Sequence, residues 1–241
     1  MHHSYDFSFL SYGQRTLSVF ISILTTFLVT LILLTSFDSA EGQNVSIFPL
    51  DSTPYNLTYG EWSAKWWIWA LSIPEENNPV TDQTGANCDV NQQGPVWFLA
   101  GTLGGSVTRD CDIPPDKAIL LSPLNIECSY AEFPSMKTEK ELRDCAQWPG
   151  AFVKVTIDGV DVQDIDKYSV QSPLFDVVLP EENIFGAPPG PTKAVSGGWW
   201  ILLPPLPPGA HKISFGGSVV DNPTTGTQGF AVEANYNLNV K

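Results

Sequence analysis

The sequence predicts a mainly β protein: an antiparallel β-sandwich with one tryptophan-rich helix packed on it and a second, shorter helix. Three observations carry that expectation. Beyond residue 95, short runs of β-branched and aromatic residues recur between Gly, Pro and Asp turn signals, the spacing of a sandwich or barrel rather than a parallel α/β sheet. Fifteen of the chain's twenty prolines lie in this part of the sequence, and proline belongs at strand edges and turns. Finally, Glu61 to Leu71 holds four of the eight tryptophans, and they repeat at helical rather than strand period.

The helix follows from local chemistry. Thr58 followed by Glu61 is a capping box: the hydroxyl covers one orphan N–H and the carboxylate reaches back to another. Trp62, Trp66, Trp69 and Ile73 form one stripe, Trp67 and Leu71 extend it, and Pro74 ends it. With each indole offering about 200 Å² to remove from water, the helix is expected in the core. Trp67, at the side of the stripe, is the candidate for an exposed stacking surface.

Ahead of the helix, no residue from Thr16 to Phe37 is charged, and that length crosses a bilayer. Arg15 precedes the segment and Asp38 and Glu41 follow it, which puts residues 1–15 on the cytoplasmic side and the bulk of the chain outside. Residues 16–40 read either as a signal peptide ending near Ser39-Ala40 or as a retained membrane anchor. Residues 41–58, with Pro49 and Pro54, read as a linker or edge strand, and residues 59–241 as a single extracellular β-rich domain.

Strands are expected at Pro95–Ala100, Ser106–Cys111, Lys117–Leu124, Phe152–Ile157, Val160–Val162, Leu174–Leu179, Gly198–Leu203, His211–Phe215 and Phe230–Val240, from alternation or continuous apolar runs. Ser135 to Cys145 has helical spacing with Ser135 as cap.

All four cysteines, Cys88, Cys111, Cys128 and Cys145, lie beyond the apolar segment. An even count in an oxidising compartment implies two disulfides. Of the three pairings, Cys88–Cys111 with Cys128–Cys145 is favoured because each closes a short loop. Asn44 and Asn56 begin glycosylation sequons. The net charge of −14 argues against nucleic acid or anionic lipid as partner.

Candidate chemistry is sparse. His211 is the only histidine outside the N-terminal pair; without a G-x-S-x-G elbow it reads as a structural hydrogen-bonding residue. No multi-histidine metal centre is possible, and no cofactor motif occurs. Asp158 and Asp161, with Asp164 and Asp166, form a carboxylate cluster of the hard-oxygen kind that calcium takes, but the order is not that of an EF-hand, and a solvated face is preferred. Trp199 and Trp200 fall on opposite faces of one strand, so one of them joins Trp67 as a candidate stacking surface. An acid pair for glycoside hydrolysis cannot be selected from spacing, and no acid is expected inside an apolar strand, where its pKa would rise.

The run Trp62-x3-Trp66-Trp67-x-Trp69-Ala70-Leu71-Ser72-Ile73-Pro74, then Thr84-Gly85-Ala86-Asn87-Cys88, Gly94-Pro95-Val96-Trp97-Phe98-Leu99-Ala100-Gly101 and Pro205-Leu206-Pro207-Pro208-Gly209-Ala210-His211 resembles a family of secreted prokaryotic proteins of unassigned function. The likeness spans residues 60 to 216. It implies export and a single domain, and carries no reaction, ligand or catalytic residue. The Pro-Pro-Gly lead-in to a strand is similar to late strands of immunoglobulin-like sandwiches, so the sandwich is expected to be immunoglobulin-like or jelly-roll-like; that analogy says nothing of function. The resulting expectation is a non-enzymatic binding module for a glycan or an envelope partner, secreted or held at the outer face of the membrane. The alternatives are an acid-pair hydrolase and a structural envelope protein.

Overall fold

The computed structural model describes residues 45–221 and 228–241. The apolar segment 16–37 and Asn44 lie outside the described residues. Among those described, no helix is long and apolar enough to cross a membrane.

Ten strands form two sheets. They are β1 (Val96–Phe98), β2 (Gly105–Ile113), β3 (Ala118–Ser129), β4 (Phe152–Ile157), β5 (Val160–Asp161), β6 (Ser169–Gln171), β7 (Phe175–Leu179), β8 (Gly190–Leu203), β9 (Gly209–Val219) and β10 (Phe230–Val240). The first sheet runs β1-β3-β8-β6, with β7 also on β8; the second runs β2-β10-β9-β4-β5. The expected sandwich is therefore present, with one amendment. Each sheet contains a parallel pair, β1 with β3 and β2 with β10, so the sheets are mixed rather than purely antiparallel. Only long-range pairing decides this, and no local pattern encodes it.

Helix α1 (Tyr59–Ser72) carries the expected Thr58–Glu61 capping box, both halves formed. It packs against β6, β7 and β8. Trp200 of β8 meets Trp66 of α1 edge to face, with ring centroids 5.6 Å apart. The neighbouring Trp199 packs instead with Leu124 and with Val153 of the second sheet. Successive side chains point to opposite faces, so β8 is covered by the helix on one side and by the second sheet on the other. That is why β8 is buried without alternation from Ala194 to Leu203.

The segment read as a linker packs on the domain. Phe48 N–H donates to the Leu202 carbonyl at 3.0 Å, and Val45, Ile47, Phe48 and Leu50 lie against the core. Helix α2 (Glu139–Cys145) is shorter than expected. Its cap is Thr138, in a second complete capping box with Glu141, because Ser135 sits in a turn where Met136 N–H bonds the Phe133 carbonyl. Both favoured disulfides, Cys88–Cys111 and Cys128–Cys145, are formed.

Strand β3 holds the feature that shapes the site. Its register against β8 shifts between Leu121 and Leu124, a bulge that absorbs Ser122 and Pro123. The Ser122 hydroxyl donates to the Trp199 carbonyl at 2.6 Å. Gly198, at φ +149°, lets β8 press on β3 here, since a Cβ would lie 2.4 Å from the Leu124 carbonyl oxygen. The strand therefore continues to Ser129 instead of stopping at Leu124.

Candidate functional site

Strand β1 pairs with β3 only as far as Leu120, and Leu99 N–H to Leu120 O closes that ladder. Beyond it, Ser122 to Glu127 line a cavity of about 420 Å³. Trp66 and Trp67 of α1 contribute to its wall, as do Trp148, Phe185, Phe215 and Phe230. Leu103 and Phe133 also border it and are partly in solvent, Leu103 54% exposed.

Glu127 stands in this wall. It is 4% exposed, and neither carboxyl oxygen receives a hydrogen bond. Burial pushes its pKa well above the usual carboxylate range, the adjoining Glu132 carboxyl pushes the same way, and the Ser129 hydroxyl opposes them. Ser129 donates instead to Glu132 Oε2 at 2.8 Å. The Cys128–Cys145 disulfide starts at the residue after Glu127 and closes the loop that carries Glu132 and Phe133, so the covalent link fixes the pair. The indole N–H groups of Trp67 and Trp148, in the same wall, likewise lack partners.

Glu127 corrects the expectation that no acid lies inside an apolar strand. Ile126-Glu127-Cys128 was the available signal, but Pro123 reads locally as a strand end. The bulge removes that objection, because it takes Pro123 out of the regular ladder.

The indole candidates are placed differently from expectation. Trp67, Trp199 and Trp200 are 5%, 9% and 0% exposed, so none forms a surface stacking platform. The two-sided burial of β8 accounts for Trp199 and Trp200, and Phe185 covers Trp67, with ring centroids 6.1 Å apart. Of the three, only Trp67 lines the cavity. Asn56 is exposed, in a left-handed conformation just before the helix cap.

Two members of the carboxylate cluster, Asp158 and Asp161, are committed to protein partners. Asp158 accepts from the backbone N–H of Lys212 at 2.8 Å and pairs with His211 Nδ1 at 2.7 Å. Asp161 accepts from the Thr156 hydroxyl at 2.6 Å and pairs with Lys154. Among the described residues no three His, Cys, Asp or Glu side chains are grouped to hold a metal. His211 Nε2 lies 2.8 Å from the Pro207 carbonyl, so both ring nitrogens are engaged and the histidine secures a strand start.

One more buried charge lies behind the cavity wall without lining it. Arg109 of β2, 1% exposed, donates to the carbonyls of Val80, Asp82, Ala100 and Gly101 and to the Tyr236 hydroxyl at 2.6 to 3.1 Å. It ties down Val80 and Gly101, two residues of the cavity wall. No protein-family model, curated protein or solved structure matches the chain.

Proposed function

We propose that this chain is an exported, non-enzymatic binding protein whose ligand enters the cavity beside β3. Residues 16–40 would direct export, leaving the domain secreted or held at the outer face of the membrane through residues 16–37. Two formed disulfides support an oxidising compartment, and the resemblance to secreted prokaryotic proteins points the same way. The observation that carries the binding role is Glu127: a buried acid whose oxygens have no hydrogen-bond partner, in a mostly apolar cavity, is costly unless something else meets it. The volume suits a small molecule or the terminal group of a larger envelope component or glycan, in place of the flat surface contact expected from exposed indoles.

An acid-pair hydrolase is the second reading, favoured by the convergence of Glu127 and Glu132. Glycoside hydrolysis, however, needs two carboxyls separated by roughly 5 to 9 Å across a bond, whereas the Glu132 carboxyl directly adjoins that of Glu127.

The test is intrinsic tryptophan emission of the full chain, titrated with a panel of small amphipathic compounds alongside a glycan array. Ligands should shift the emission of the native chain, and Ala234→Phe, which fills the cavity, should abolish the shift. If no compound shifts emission, or the filled variant responds as the native chain does, the structural envelope role takes its place.

A further inference from the structure

We infer that the cavity selects a protonated amine with an apolar body, the ammonium N–H groups meeting Glu127 and Glu132 and the body lying among the aromatic rings. This rests on the cavity being the ligand site, and it names the chemistry of the ligand.

Three observations converge. The first is charge. Glu127, Glu132 and Glu233 line the cavity, and no Lys, Arg or His among the described residues does so. An anionic ligand would meet three carboxyls and no counter-charge, inside a chain of net charge −14. The second is donor balance. Glu127 is buried and neither of its oxygens has a hydrogen-bond partner within the protein; an ammonium would supply donors to that carboxyl. The hydroxyls of a sugar would supply donors as well, but a sugar brings polar groups on all sides, and this wall is mainly apolar, with seven aromatic residues in it. The third is the wall itself: Trp67, Phe133, Trp148, Phe185 and Phe230 offer π systems that attract a cation and an apolar body together. The unpartnered indole N–H groups of Trp67 and Trp148 leave room for one acceptor atom on the body, and the charge preference does not depend on it.

The test uses three probes with one skeleton: 3-phenylpropylamine, 3-phenylpropan-1-ol and 3-phenylpropanoate, titrated calorimetrically into the full chain at neutral pH. The amine is expected to bind about tenfold or more tighter than the alcohol, with the carboxylate weakest. Glu127→Gln and, separately, Glu132→Gln should each remove most of the amine's advantage over the alcohol, while Glu181→Gln, at an exposed acid that is not part of the lining, should leave it intact. Equal binding of amine and alcohol, or preference for the carboxylate, overturns the inference and leaves the cavity as a binding site. Absence of binding by all three overturns both. The order of the probes on the native chain decides the question even if a variant fails to fold.

Discussion

Arg109 and Glu127 are both buried charges-in-waiting on strands of one small domain, and they are treated in opposite ways. Arg109 is surrounded by four carbonyls and a phenol, so its fixed cation is solvated by the protein itself. Neither oxygen of Glu127 has a hydrogen-bond partner within the protein, and burial, with the adjoining Glu132 carboxyl, pushes its pKa well above the usual carboxylate range. A charge whose surroundings are complete belongs to the architecture. One whose surroundings are incomplete, beside a cavity, is set up for something that arrives from outside.

The contrast can be broken most severely at Arg109. Arg109→Met should cost about 4 kcal/mol in equilibrium urea unfolding, because it strands several buried acceptors at once. A loss under about 1 kcal/mol would mean that the node is not structural. Next, Cys128→Ser with Cys145→Ser should cost about 3 kcal/mol and should also free the loop bearing Glu132 and Phe133. Faster hydrogen exchange across residues 130–138 than at the Arg109 contacts would show that the covalent link serves the cavity side.

Glu127→Gln should run the other way. A raised folded-state pKa means that the native chain loses stability as pH rises from the ordinary carboxylate range, near 4.5, toward the raised value. The glutamine removes that loss, so the variant should be more stable at pH 7 by about 1 to 2 kcal/mol and indistinguishable from the native chain near pH 4. Thermal unfolding at the two pH values checks this; a variant destabilised at pH 7 would show that the acid is structural after all.

The smallest effect belongs to His211. Partial burial works against its charge, but the Asp158 carboxylate and the Pro207 carbonyl outweigh it and raise the pKa above 6.5. Its stabilisation is therefore fully present below about pH 6.5 and lost as pH rises through the raised value. His211→Asn should flatten that segment of the stability profile by less than about 1 kcal/mol.

How far the sequence discloses this molecule depends on the range of each interaction. Helix α1 is legible because a capping box and a helical stripe are local, and the disulfides because short loops close easily. The sandwich is legible because alternation reports burial. The parallel pairings are not, since Val232 opposite Gly105 leaves no trace at either position. The cavity was hidden for a related reason. Pro123 looks like an end until β8 supplies the bulge, and Glu127 then falls inside a strand instead of after one. The tryptophans mislead in the opposite direction, because their number suggests display whereas two-sided coverage of β8 puts Trp199 and Trp200 out of reach.

Strand β10 is the last in the chain, yet it lies between β2 and β9 in its sheet. Made in order, the polypeptide holds two bare strand edges facing each other until Phe230 to Val240 arrive, and only then can Arg109 find Tyr236. The second sheet is thus completed by its final segment. Until that segment arrives, β9, β4 and β5 can already pair with one another, but β2, with Arg109 on it, has no strand to pair with, so the closing of this sheet waits on its most distant contact.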